Sequence, residues 1–259
     1  MQKIKKKIKK TLEKTFDIEI RRPKLILDLQ NPKLQIVNEA VNFEKKIIFI
    51  AVPKTGTTTV RIQLSQAGIP IIENPHLNIV QIRDLIYIFL LKESLGTNTI
   101  FPNSNMPSDT ALREKAAKIF DSFFKFSAVR NPWSRAVSLY FRNEGIKLKD
   151  KLTFDAFCEN HIYASDTCSH PTLHKNQFDW LSSAEGQILM DYIYKVEDFE
   201  NAINDIKNLT NSRVTLQNVK QNQNPNSKST NYRNLYNDRT RKIIEKRFEK
   251  DIDYFKYTF

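Results

Sequence analysis

Lys46–Val60 reads KIIFIAVPKTGTTTV, and this stretch decides the fold. Its first seven residues, Lys46–Val52, form a near-continuous apolar run, the pattern of a strand buried on both faces. Pro53-Lys54-Thr55-Gly56-Thr57-Thr58-Thr59 follows at once. A helix-like stretch over Thr58–Ala67 then leads to Gly68, which suits a C-terminal cap. Strand, loop and helix in this order make an anion site. The first N–H groups of a helix have no partner within it and carry partial positive charge. Gly56 lets the loop fold back and lets an anion come close to the backbone. Lys54 adds a full charge. Thr57, Thr58 and Thr59 offer hydroxyl donors, and one of them is expected to cap the helix. The pattern is not G-x-x-x-x-G-K-[ST], because the lysine precedes the glycine by two positions, so an ATP or GTP cradle of that kind is disfavoured.

A second segment repeats the logic. Phe123–Val129 reads as a buried strand that runs into Arg130, with Asn131 able to cap the next helix and Pro132 fitting its first position. The helix is expected over Pro132–Asn143, with Gly145 after it. Arg135, Ser138 and Arg142 are spaced to share one face. Arg130 and Ser138 are expected to converge on one phosphate, the arginine as a bidentate donor, while Trp133, Val137 and Phe141 pack on the core. Two such sites call for a ligand with two separated anionic ends, such as a nucleotide bearing a 5′ group and a 3′-phosphate.

Further helices are expected over Asn78–Leu95, Thr110–Phe120, residues 150–160 and Asp238–Phe255. The last is amphipathic through Ile243, Ile244, Phe248, Ile252 and Phe255. Gln187–Val196 has mixed strand character. Residues 97–109, 161–176 and 217–232 read as loops. Strands alternating with helices predict an α/β fold, a single P-loop-like domain with a central, largely parallel sheet flanked by helices. Residues 1–44 read as a basic leader and N-terminal extension, and 45–259 as the α/β domain.

The chain has 259 residues and a formal net charge of +12. Residues 1–14 hold seven lysines and one glutamate, half of that excess. Ile4, Ile8, Leu12 and Phe16 recur as on an amphipathic helix, either a solvated leader or a helix lying on an anionic membrane surface, so residues 1–16 are a candidate peripheral membrane contact. No apolar run approaches membrane-spanning length, and no secretory h-region follows the lysines. The two cysteines, Cys158 and Cys168, read as free thiols of a cytoplasmic protein. No His/Asp/Glu cluster has metal-ligand spacing, so no metal is expected. A nucleotide kinase with an irregular phosphate loop, and a non-enzymatic polyanion binder driven by charge, remain as alternatives. ATP–Mg binding would mark the first and steep salt dependence without nucleotide saturation the second. No zinc finger, RNP or helix-turn-helix signature is present, so nucleic acid is not the expected partner.

PKTGTTT resembles the 5′-phosphosulfate loop of sulfotransferases, and RNPWSRAVSLY resembles their 3′-phosphate motif, R-x-P-x-x-R-x-x-S-x-Y. The chain end from Tyr236 to Phe259 is similar to that of the carbohydrate-type branch, with Tyr236, Asp251, Phe255, Tyr257 and Phe259 in matching positions. The resemblance implies 3′-phosphoadenosine 5′-phosphosulfate as donor and a hydroxyl of a carbohydrate or glycolipid-type acceptor. It implies that Lys54 contacts the bridging oxygen and transferring group. Thr55, Gly56, Thr57, Thr58 and Thr59 form the 5′-phosphate loop, and Arg130 and Ser138 bind the 3′-phosphate. Lys228, Ser229 and Thr230 resemble a later loop that closes over that phosphate. His76, at the head of the Asn78–Leu95 helix, resembles the branch's catalytic base, with Glu73 as the carboxylate alternative. His174 and Gln177 resemble an acceptor-region pattern, for substrate contact or site architecture. His161 and His170 read as loop residues.

Overall fold

The structure is a computed structural model that describes residues 35–95, 107–141, 152–161, 175–219 and 231–259. The basic leader, Arg142, Cys168, His170, His174 and Lys228–Thr230 lie outside these residues, as does the side chain of His161.

A mixed sheet forms the centre. Its strands in spatial order are β2 (Val41–Asn42), β3 (Ile47–Ile50), β5 (Phe124–Val129) and β6 (Tyr192–Lys195). β3, β5 and β6 run parallel, with Ile47 opposite Phe124 and Phe126 opposite Tyr192, while β2 closes one edge antiparallel. Two shorter strands, β1 (Gln35–Ile36) and β4 (Ile69–Pro70), pair in parallel outside this sheet.

Alternation along β3 divides the core. Ile48, Ile50 and Val52 join one cluster, and Ile47, Phe49 and Ala51 join the other. Successive side chains point to opposite faces, so both faces of the sheet are covered. The first cluster takes in α2 (Ile79–Leu95), α3 (Asp109–Ser122), α4 (Pro132–Tyr140) and the C-terminal helices α8 (Asp238–Arg247) and α9 (Glu249–Phe255). The second takes in α1 (Thr57–Leu64) and α7 (Phe199–Leu209). Ile47, Ile48, Phe49 and Ile50 are all buried, and each such side chain contributes about 2 kcal/mol on leaving water.

Local chemistry sets the helix starts. Ser108 accepts from the Ala111 N–H at the head of α3, and Asn131 accepts from Trp133 and Ser134 at the head of α4, with Pro132 in its first turn. Asn78 and Gln81 bond each other's backbone N–H ahead of α2, the reciprocal arrangement of a capping box. Lys125, buried at the start of β5, turns its ammonium onto the carbonyls of Phe120, Asp121 and Phe123 and onto Asp191, so a cation sits where the dipole of α3 is negative.

Some expectations change. α1 ends at Leu64, with extended backbone at Ser65, so Gly68 is not its cap. The helix expected over 150–160 is a short one, α5 (Phe154–Ala156), that widens into a π turn at Phe157–His161. The strand expected over Gln187–Val196 narrows to Tyr192–Lys195. The expected Asp238–Phe255 helix is two helices that meet at Phe248, where φ is −114° and ψ 27°. Phe248 is fully buried, and the bend at it turns α9 so that Asp251 points inward.

Cys158 is fully buried, and burial among apolar groups pushes its thiol up to about 12. A raised value means less thiolate at any working pH, and the thiolate is the reactive form. In a Cys168→Ser background, Ellman's reagent at pH 8 should leave native protein unlabelled over the minutes in which urea-unfolded protein reacts fully.

Candidate active site

The three parallel strands all end on one side of the sheet, and each delivers polar groups there. β3 leads into Pro53-Lys54-Thr55-Gly56, β5 into Arg130-Asn131, and β6 into Val196-Glu197. In open α/β sheets this carboxyl edge is where ligands bind.

The first loop is unusual in its backbone. Lys54 and Gly56 both have φ of 70°, a left-handed conformation that a residue with a Cβ adopts only at a cost. Gly56 occupies the N-cap position of α1, with no side-chain bond to the first turn. The expected threonine cap is therefore absent. Thr57 begins the helix proper, and a hydroxyl cap requires extended backbone one residue earlier. The consequence favours binding: the first-turn N–H groups of α1 remain without a protein side-chain cap. Thr55 is buried and donates its hydroxyl to the Val52 carbonyl, 2.9 Å away, which makes it a strut of the loop. Thr59 donates to the Val219 carbonyl at 3.3 Å. Thr58 stays half-exposed, and Thr57 is buried.

Arg130 comes to the same place. Its Nη1 donates to the Lys54 carbonyl at 3.4 Å and its Nε to the Ser134 hydroxyl at 2.9 Å. Burial pulls its guanidinium down, and the charge of Glu197 pulls it back up. Ser134, not singled out by the sequence reading, is thus the serine that holds the arginine. Ser138 lies one turn further along α4, half-exposed. Residue spacing on α4 carried the missed signal, since Ser134 and Ser138 are four apart.

Arg135 does not join this cluster as a ligand. It is fully buried, donates from Nε to the Pro53 carbonyl at 3.1 Å and from Nη1 to the Lys175 carbonyl at 3.0 Å, and lies under the Phe248 ring. Burial drags its guanidinium down to about 10, against the opposing charge of Asp251. Asp251 is fully buried too, and accepts from the N–H groups of Gln177 and Phe178 at 2.8 and 2.9 Å. Gln177, wholly buried, pairs its side-chain amide with both backbone groups of Arg130, at 2.9 and 2.8 Å. Of its two expected roles, these bonds fit site architecture: the amide is occupied in aiming Arg130.

Glu197 completes the corner. It accepts from the Asn131 N–H at 2.8 Å and the Tyr257 hydroxyl at 3.3 Å, while Asn131 Nδ2 donates to the Thr258 carbonyl at 2.8 Å. Sequence reasoning missed Glu197, which no motif in the opening reading covers. Beside the loop a cavity of about 390 Å³ opens between Thr55, Gly56 and Thr59 and the side chains of Tyr194, Val196 and Phe199. Its size is that of a small-ligand pocket.

His76 lies half-buried between the loop and α2. Its Nδ1 is 2.7 Å from the Ala51 carbonyl. A carbonyl only accepts, so Nδ1 carries a proton, and in the neutral ring the lone pair is then on Nε2. Glu73 is exposed. Among the described residues no group of three or more His, Cys, Asp or Glu side chains is placed to hold a metal ion, and no helix is long and apolar enough to cross a membrane.

A sequence model of the sulfotransferase family matches residues 40–258. No curated protein and no solved structure matches the chain.

Gly56→Ala should weaken binding of an anion at the loop about tenfold, because a Cβ at this φ is strained by about 1–2 kcal/mol and would stand 3.1 Å from Val196 Cγ2. Calorimetric titration with 3′-phosphoadenosine 5′-phosphate checks this. Arg135→Met should cost about 3 kcal/mol in urea unfolding, as Asp251 is left as an uncompensated buried charge. Arg135→Lys should recover only part of it, because one nitrogen replaces the two that reach Pro53 and Lys175.

Proposed function

Because the chain belongs to the sulfotransferase family, on its family 2-like branch, we propose that it moves a sulfuryl group from 3′-phosphoadenosine 5′-phosphosulfate to a hydroxyl of a carbohydrate or glycolipid-type acceptor. The observation that carries the donor is the meeting of the Arg130 guanidinium with the backbone of the Pro53–Gly56 loop, at the ends of adjacent strands. Arg130 reaches the Lys54 backbone itself, next to a helix N-terminus without a side-chain cap. This P-loop-like arrangement suits a ligand with one anionic end on the α1 N–H groups and Lys54 and another on Arg130 and Ser138. The cavity beside the loop, lined by Tyr194, Val196 and Phe199 together with Glu197, Asp198, Glu200, Asn201 and Asn218, is the candidate place for the nucleoside. Lys228, Ser229 and Thr230 keep their assignment to the 3′-phosphate and His174 its assignment to the acceptor region.

The reaction asks the protein for placement and charge. The α1 N–H groups and Lys54 stabilise the negative charge that grows on the 5′-phosphate as its bond to sulfur breaks. His76 Nε2 takes the proton of the acceptor hydroxyl as the new oxygen–sulfur bond forms. The hydrogen bond from Nδ1–H to Ala51 holds the ring in the tautomer that this step needs. No metal is required for these roles.

Titration with 3′-phosphoadenosine 5′-phosphate, against 5′-AMP and ATP–Mg, tests the donor site. Binding should require the 3′-phosphate, and Arg130→Ala should weaken it about 30-fold, the effect of losing a charge-assisted bond of about 2 kcal/mol. Preference for ATP–Mg would overturn the reading. His76→Ala should lower turnover, followed as transfer of labelled sulfuryl groups to a saccharide and glycolipid panel, about 1,000-fold. Nucleotide affinity should stay within about twofold. Full activity in that variant would remove His76 as the base.

A further inference from the structure

The stretch just before the matched region contains a fully buried amide that no motif explains. Asn38 is 0% exposed. Its Nδ2 donates to two carbonyls of one turn, Ile72 at 2.7 Å and Asn74 at 2.9 Å, and its Oδ1 accepts from the Ala40 N–H at 2.9 Å. β1 delivers it there: Gln35 and Ile36 pair with Ile69 and Pro70, and the Ile71 N–H bonds the Ile36 carbonyl at 3.0 Å. The turn that Asn38 gathers in leads into His76. Asn74 Oδ1 accepts the His76 N–H at 2.9 Å, and the ring then reaches the Ala51 carbonyl, three residues ahead of Lys54.

We propose that Asn38 is a positioning residue for His76. Through the Ile72–Asn74 turn it sets the height of the His76 backbone above β3, so that Nδ1–H meets Ala51 and Nε2 carries the lone pair. The inference rests on the reading of His76 as base for its catalytic meaning, but not for its geometry. Two donor hydrogens on one nitrogen are what a turn with two converging carbonyls requires. Aspartate has the same shape and keeps the bond from Ala40, yet it would set an acceptor against both carbonyls, leaving three acceptors and no donor. Asn38 lies outside residues 40–258, in the part of the chain read from sequence as an extension. The extension thereby contributes to the site through the backbone, without touching a ligand.

The test uses full-length protein labelled with ¹⁵N-histidine, with the His76 signals assigned by their loss in His76→Ala. Long-range ¹H–¹⁵N correlation distinguishes the two imidazole tautomers. Wild type should show His76 protonated on Nδ1. Asn38→Asp should shift it to the Nε2–H form or to an average of the two, with affinity for 3′-phosphoadenosine 5′-phosphate within about twofold of wild type and turnover reduced through kcat. A purely structural asparagine would lower stability and leave the tautomer of the folded molecules unchanged. A folded Asn38→Asp with His76 still protonated on Nδ1 overturns the proposal. Where Asn38→Asp does not fold, Asn38→Ser, which can serve one carbonyl and not both, carries the same readout with the same deciding outcomes. The tautomer result does not depend on the base assignment. If His76→Ala retains turnover, the catalytic reading fails while the positioning result stands or falls on the spectrum alone.

Discussion

The site hangs on a buried polar strut. Arg135 and Asp251 lie in the interior with their charges acting on each other, and neither touches solvent. Arg135 spends its donors on the Pro53 and Lys175 carbonyls, and Asp251 spends its acceptors on Gln177 and Phe178. Buried charges are tolerated only when paired and hydrogen-bonded. Here the partners are backbone groups of the first anion loop and of the segment that aims Arg130. The strut therefore ties the loop after β3 to the segment that holds Arg130. Burial raises the Asp251 carboxyl, while Arg135 and the three N–H bonds to it work in the opposite direction. Those bonds favour the ionised form, since a carboxylate offers acceptors on both oxygens, but burial outweighs them and the carboxyl is raised on balance.

The strand ends gather polar groups around this strut. β3, β5 and β6 run parallel, so Lys54, Arg130 and Glu197 emerge on the same side. The negative Glu197 sits among the positive groups with a structural task. It holds the Asn131 N–H and the Tyr257 hydroxyl, and its charge sustains the protonated Arg130. The last residues of the chain pack into this corner: the Phe259 ring lies against Trp133 and Tyr236, and Thr258 receives Asn131.

Legibility followed the range of the interactions. The capping of α4 by Asn131 and Pro132 could be read directly, because a cap involves neighbours within three residues. The buried strand Lys46–Val52 could be read because a parallel strand covered on both faces is apolar throughout. The loops that follow β3 and β5 could be placed for the same reason, since each begins where an apolar strand ends. The helix expected from 238 to 255 breaks at Phe248, whose ring packs on Arg135 of α4, while Asp251 beyond the bend accepts from Gln177 and Phe178, more than 70 residues away. The threonines of the first loop looked alike in sequence. Only the fold separates Thr55, tied to Val52, and Thr59, tied to Val219, from Thr58, which remains half-exposed.

The sequence by itself determined the class of the fold and the two loops, since both follow from periodicity, glycine placement and charges fixed within a dozen residues. It also determined that a histidine would stand at the head of α2. Tertiary structure decided which of these groups is enclosed as a support and which stays at the open strand ends. Arg135 and Arg130 are five residues apart and chemically identical, yet one is enclosed under Phe248 and the other turns toward Lys54. Gln177 and Asn38 became supports because their amides meet carbonyls brought close only by the packed chain. A side chain's role depends on what desolvates it and what bonds it, and both are supplied by residues distant in sequence.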